Sequence, residues 1–282
     1  MSFSLPDNSA IGIAAILLYV VSAWLLYRRT ALNTPVNDTE TIASAPGKPR
    51  VVWLLALSAA VVHALMLLGS TVTDNGLNLS FFNSLSVTAW LAVVFTLLLN
   101  IGRPVINLGL FLFPMAAMAL CLSLLFAYRN VSTPAPGIQW HVLSSVVAYA
   151  LLTISAGQAL LVSVQDKRLK NRNTGGILRA LPPLKTMETV LFQLLLSSVV
   201  FLSLSLITGF LFLDDLFAQR LVHKTTLSLV AWLLIAILLI GHLRWGWRGQ
   251  KAAGFTLGAF FSLLLGYFGS KFVIELLLSP PA

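Results

Sequence analysis

Eight long apolar segments constrain the fold of this 282-residue chain more than any other feature of its sequence. Each has the length, about 20 residues, that an α-helix needs to cross the hydrocarbon core of a bilayer. Helices are expected because lipid offers the backbone no hydrogen-bond partners, so each segment must satisfy its own N–H and C=O groups. The predicted segments are 11–27, 51–69, 81–99, 105–128, 142–164, 190–213, 225–243 and 255–278.

The scarcity of charge agrees with this interpretation. Only 10% of the residues are charged and 58% are hydrophobic, whereas a soluble domain carries about 25% charged residues. The sequence therefore predicts an all-α, polytopic integral membrane helix bundle that forms a single domain over residues 1–282. The formal net charge of +9 is attributed to membrane topology and not to nucleic-acid binding, because the basic residues lie between the apolar segments.

The distribution of basic residues predicts the orientation of the bundle. The first ten residues contain no Lys or Arg, and the pair Arg28–Arg29 follows the first apolar segment. This order is typical of a retained helix with its N-terminus outside and not of a cleaved signal peptide. With both termini outside, 14 of the 18 basic residues fall on the cytoplasmic side, as the positive-inside rule requires. The most basic cytoplasmic segment is the predicted loop 165–189.

Catalytic motifs are missing from the sequence. It contains no nucleophile motif, phosphate-binding loop or dinucleotide fingerprint. Glu275 is the exceptional acidic residue within an apolar segment, and its spacing from Lys271 predicts an ion pair on one helix face. The sequence therefore does not provide the buried carboxylates that a proton or cation pathway would need. We expect a protein that is not an enzyme.

Four histidines, all in or beside the apolar segments, are the remaining candidates for chemistry. His63 lies inside the second segment, His141 and His223 lie at the predicted outer ends of the fifth and seventh, and His242 lies at the inner end of the seventh. Imidazole binds haem iron, zinc and copper. Spacing alone does not choose among these metals, but it puts His141 and His223 at the same depth, where they can meet across one site.

Residues beside the two outer histidines predict further contacts with a bound group. Trp140 adjoins His141 and can pack on a flat macrocycle. Arg220 and Lys224 flank His223 and can pair with anionic groups such as haem propionates. The alternative interpretation is that the tryptophan belongs to an interfacial aromatic belt and that the two cations are ordinary interfacial charges.

Several motifs in the C-terminal half point to a known family. They are Thr208-Gly209, His223-Lys224-Thr225, His242-Leu243-Arg244, Gly246-Trp247-Arg248-Gly249 and Tyr267-Phe268-Gly269. Together they resemble the integral membrane cytochrome c assembly family of CcsA/HemX-like proteins, and most of all its HemX/YpjD-like branch. The resemblance covers residues 51–278.

The family resemblance implies a haem-handling protein of the bacterial inner (plasma) membrane. By position, His141 and His223 would be an outer pair of haem ligands, and His63 and His242 a pair within the membrane. Implied partners are the lipid bilayer, haem, and proteins of cytochrome c maturation or haem synthesis. Depth argues against the second pair. His63 lies about 18 Å from the inner end of its predicted helix, whereas His242 lies near the inner end of its own.

Two other functions compete with haem delivery. The tryptophan-rich outer motif of the family is missing from this chain, which favours a regulatory or scaffolding protein that influences haem synthesis. A transporter of another substrate is the third hypothesis. Transporters of this kind use broken helices, and Pro114 in the fourth segment is the best candidate for a break.

Overall fold

The computed structural model describes residues 5–32, 50–73, 76–126, 131–132, 137–172, 181–212 and 222–273. Within these residues, eight helices are long and apolar enough to cross a membrane, which confirms the predicted helix bundle. The α-helices are α1 (Leu5–Leu32), α2 (Arg50–Thr71), α3 (Phe81–Gly102), α4 (Gly109–Leu125), α5 (Ile138–Lys170), α6 (Leu184–Phe212), α7 (Val222–Trp245) and α8 (Gln250–Leu264). The fourth membrane-crossing helix begins before α4, at Ile106, and the eighth continues beyond α8 to Phe272. A 3-10 turn, Ile106–Leu108, precedes α4.

Helices α5 and α6 extend well beyond the predicted apolar segments. They contain 33 and 29 residues and reach into both ends of the predicted loop 165–189. Basic residues in the last turn of α5 favour its extension, because they interact well with the negative end of the helix dipole. In the same region Asp166 and Lys170, one turn apart, form an ion pair of 2.8 Å.

The break that Pro114 predicts is absent from α4, which stays helical on both sides of this proline. The irregular helix is instead the last one. After Leu264, the chain forms a π-helical segment, Leu265–Gly269, and then a short α9, Ser270–Phe272. Such π-helical insertions are frequent at functional sites.

Helix α5 lies at the centre of the bundle. One buried apolar cluster joins it to α1–α4 and α6, and a second joins it to α6, α7 and α8. Small residues such as Ala150, Ala156 and Gly157 let its neighbours approach closely, as is usual at helix interfaces in membranes.

A small antiparallel sheet lies outside the helices at one end of the bundle. It consists of β1 (Val72–Thr73), β2 (Gly76–Asn78) and β3 (Val131–Ser132), with Val72 opposite Leu77 and Leu77 opposite Ser132. The sheet joins the connection between α2 and α3 to that between α4 and α5. This end also carries the start of α5, and we call it the His141 face. The opposite end, where α7 finishes, is the His242 face.

Candidate ligand-binding site

A cavity of about 630 Å³ lies between helices α3, α5, α6, α7 and α8 near the His141 face. Most of its wall is apolar, with side chains such as Leu202, Leu206 and Leu229. Hydroxyl, imidazole and ammonium side chains also line this space. Its volume falls within the usual range for a small-molecule site, about 300–1,000 Å³.

The polar wall on α5 is a stripe of three residues, His141, Ser145 and Tyr149, spaced four apart. This spacing places them above one another on one face of the helix. The facing wall of α6 contributes Ser205 and Gly209. The hydroxyl oxygens of Ser145 and Ser205 are 2.7 Å apart, so the two helices are joined by a hydrogen bond beside the histidine.

The hydrogen bonding of His141 fixes its tautomer. Its Nδ1 lies 2.8 Å from the carbonyl oxygen of Ser205. A carbonyl can only accept, so Nδ1 carries a proton, and in the neutral ring Nε2 therefore keeps its lone pair. Metal-binding histidines usually have this arrangement, in which the far nitrogen donates to a carbonyl and the near one binds the metal.

Gly209 allows α6 to approach the imidazole. A Cβ atom at this position would lie 2.9 Å from Nδ1 and 3.0 Å from Cε1 of His141. Contacts this short require the ring to move. The glycine is therefore part of the arrangement that seats His141 against α6.

The wall on the other side is built around the π-helical segment. The Tyr267 hydroxyl donates to Ser84 of α3 at 3.1 Å, and the Tyr149 hydroxyl donates to the carbonyl of Leu263 at 2.8 Å. Two cations of the lining lie over the Tyr267 ring, with the Nζ atoms of Lys224 and Lys271 at 6.0 and 5.1 Å from its centroid. The cavity thus has an imidazole on one wall and two ammonium groups near its other wall.

The structure does not bring His223 to this cavity. The α7 positions that line it are Lys224, Thr225, Ser228 and Leu229, whereas the His223 side chain is exposed. At about 100° per residue, His223 lies roughly opposite the centre of that lining face. Of the predicted contacts, Lys224 lines the cavity, Trp140 is 65% exposed and does not, and Arg220 is outside the described residues.

His63 is a fully buried residue of the α1–α2–α3 interface. Its Nδ1 lies 3.3 Å from the Tyr19 hydroxyl and its Nε2 lies 2.9 Å from the Ser86 hydroxyl. Both ring nitrogens are therefore engaged by neighbouring side chains. A metal could bind His63 only by replacing one of these two hydroxyls.

Replacing His63 by leucine is expected to lower stability and to leave ligand binding at the cavity unchanged. Leucine fills the space, but the Tyr19 and Ser86 hydroxyls lose their partner, at a cost of about 1–3 kcal/mol for each buried group left unpaired. Thermal unfolding in detergent, followed alongside haem titration, checks both parts. A variant of wild-type stability that loses haem would instead identify His63 as a ligand.

His242 stabilises the turn between α7 and α8 on the His242 face. Its Nδ1 donates to the carbonyl of Trp247 at 2.9 Å, and its ring stacks on Phe192 with the centroids 3.5 Å apart. Glu188 of α6 accepts a hydrogen bond of 2.9 Å from the backbone N–H of Gly249. His242 and His63 thus have separate partners, and the structure does not join them in one site.

The Gly249→Ala variant should be destabilised by about 1–3 kcal/mol, because this residue has a φ of +58° that only glycine adopts easily. An alanine Cβ would also lie 3.1 Å from Oδ2 of Asp166. Thermal unfolding measures the effect. The matched control is Gly254→Ala in α8, where a Cβ meets no atom within 4 Å; equal stability of the two variants would contradict this account of the turn.

Comparison with known proteins matches this chain to one family. Residues 51–278 match the family described as cytochrome C assembly protein. The match covers α2 to α8 and so includes every helix that lines the cavity. Among the described residues, no group of three or more His, Cys, Asp or Glu side chains could hold a metal ion.

Relatives extend over most of the chain. The inner membrane protein YpjD of Escherichia coli K12 is 32% identical over 235 residues, which are 82% of this chain and 89% of YpjD. YpjD of Escherichia coli O157:H7 gives the same values. An uncharacterized 28.8 kDa protein of Azospirillum brasilense is 39% identical over 149 residues, 51% of this chain and 55% of that protein. No solved structure matches.

Proposed function

This chain belongs to the cytochrome c assembly protein family, and we propose that it is a haem-binding protein of the bacterial inner membrane whose site is the cavity near the His141 face. The Escherichia coli relative is named an inner membrane protein, which supports the location. The function proposed is the binding and handling of haem within the bilayer, without catalysis by the protein itself.

The observation that carries this proposal is the hydrogen bond from His141 Nδ1 to the Ser205 carbonyl. It leaves Nε2 as the basic nitrogen of a histidine that lines a large apolar cavity. A haem iron supplies the Lewis acid that such a nitrogen binds, and the porphyrin ring supplies the apolar surface that the leucine-rich walls would cover. The donor set and the volume therefore fit haem.

Lys224 and Lys271 suit the acidic part of the same ligand. Both line the cavity and lie over the Tyr267 ring. Haem carries two propionate groups, and a carboxylate gains charge-assisted hydrogen bonds from ammonium groups, which are stronger than neutral ones. These lysines would thereby orient the bound group with its carboxylates toward α7 and α9.

Titration of haem into protein purified from haem-deficient cells tests the proposal. In nanodiscs the Soret band of bound haem should rise to saturation at one haem per chain. Zinc ions alone provide the matched control, because a metal site independent of the porphyrin would bind them. Saturable zinc binding at His141 without haem binding would contradict the proposal.

A regulatory role in haem synthesis is the second candidate, and the missing tryptophan-rich outer motif favours it over presentation of haem to an apocytochrome. Both roles use the haem site, but they predict different effects when the protein is deleted. If the protein delivers haem, a strain that lacks it should lose the haem that is covalently bound to cytochromes c. If the protein regulates haem synthesis, the same strain should have normal cytochromes c but altered levels of haem precursors.

A further inference from the structure

A second cavity, a groove of about 290 Å³, lies between α3, α5 and α6 and has no part in the haem site. We call it the α3–α6 groove. Its walls are mostly apolar, with Phe95 and Leu99 from α3, Leu151 from α5 and Leu194 from α6. Three polar side chains, Arg103, Gln193 and Ser197, also line the groove. The groove thus combines a long apolar wall with one cation.

The depth of these residues matches one leaflet of a bilayer. Helix α3 has 22 residues, or about 33 Å at 1.5 Å per residue, close to the hydrocarbon thickness of about 30 Å. Arg103, the first residue after α3, therefore lies at the membrane interface on the His242 face. Phe95 lies eight residues earlier, about 12 Å deeper, so the apolar wall reaches toward the middle of the membrane.

The charge of Arg103 has no acidic partner within the part of the chain that the structure describes. Of the acidic side chains there, Asp166 pairs with Lys170 and Glu188 accepts a hydrogen bond from the Gly249 backbone. The Arg103 side chain is half-buried beside the groove, and a guanidinium in that position favours an anion with oxygens for bidentate contact. Gln193 adds an exposed amide suited to the ester region of a lipid.

We propose that the α3–α6 groove is a binding site for one anionic phospholipid of the leaflet on the His242 face. The phosphate contacts Arg103, and an acyl chain lies along the wall formed by Phe95, Leu99 and Leu194. A cation at the interface with an apolar groove beneath it is complementary to both parts of such a molecule, and basic pockets between membrane helices recognise anionic headgroups in this way. A free phosphate would leave the apolar wall uncovered.

Native mass spectrometry of the full chain, with phosphatidylglycerol and phosphatidylcholine of identical acyl chains, tests the proposal. Wild-type protein should retain one phosphatidylglycerol in preference to phosphatidylcholine. Arg103→Gln should reduce this preference about fivefold, the effect of one interfacial cation, and Arg103→Lys should keep part of it. The matched control Lys185→Gln removes an exposed charge outside the groove and should leave the preference unchanged.

A variant that fills the groove without changing its charge distinguishes binding in the groove from general electrostatic attraction of anionic lipid. Ser197 is exposed and lines the groove, so Ser197→Trp should fill it and reduce retention of both lipids while the protein stays folded. Inorganic phosphate at millimolar concentration should not displace the lipid. The proposal is overturned if the two lipids bind equally, if Lys185→Gln acts like Arg103→Gln, if Ser197→Trp retains both lipids, or if phosphate alone competes.

Discussion

His141→Ala is expected to lower the affinity for haem by at least about 100-fold, because loss of residues that merely support a metal ligand already costs about 10–100-fold. The variant removes the one histidine among the described residues that line the cavity, and it leaves the apolar walls in place. Soret absorbance during haem titration measures the change. The unfolding temperature without haem should change little, because the side chain is only half-buried.

His223→Ala is the matched control for that experiment. It removes an exposed histidine near the same end of the bundle, on a face of α7 that does not line the cavity. Its haem affinity should remain within about twofold of wild type, which is less than 0.5 kcal/mol. Equal losses of haem affinity in the two variants would support the pair of outer ligands that the family resemblance implies. They would contradict a site in which His141 is the ligand without His223.

Gly209→Ala should weaken haem binding by about 10–100-fold although it removes no ligand, since it breaks the hydrogen bond that orients one. The new Cβ would meet Nδ1 of His141 at 2.9 Å. The ring must therefore turn away from the Ser205 carbonyl, and the hydrogen bond that fixes its tautomer is lost. Haem titration reports the affinity, and the position and width of the Soret band report the changed coordination.

The control for this variant is Gly258→Ala in α8, where the added Cβ would lie at an ordinary 3.5 Å from Leu234. It should bind haem as wild type does. Double replacement of His141 and Gly209 should be no worse than His141→Ala, because both changes act on one nitrogen. Additive losses would show that Gly209 acts on the ligand by another route.

The bundle itself could be predicted from the sequence because the length of an apolar segment directly reflects the thickness of a membrane. All eight predicted segments correspond to helices of the described residues. The ends of α5 and α6 could not be predicted in this way, since hydropathy falls at residues such as Lys167 and Lys185 while the backbone stays helical. The orientation of the bundle remains a prediction from charge.

The site was only partly predictable. The sequence indicates His141 because the apolar segments contain little other polar chemistry. Its partner on α6 is a backbone carbonyl, which any residue type at position 205 would provide. The four-residue spacing of His141, Ser145 and Tyr149 is the signal that could have located the polar wall. The position of His223 could not be predicted because α7 is apolar on nearly all sides, so its sequence does not show which face packs inward.

The haem content of wild-type protein purified from haem-replete cells tests the central claim most directly. Released haem, quantified as its pyridine complex and divided by protein concentration, should approach one per chain for wild type and for His223→Ala, and should be nearly absent for His141→Ala. A wild-type protein that is folded and free of haem, or a His141→Ala variant that retains it, would contradict the assignment of this cavity as a haem site.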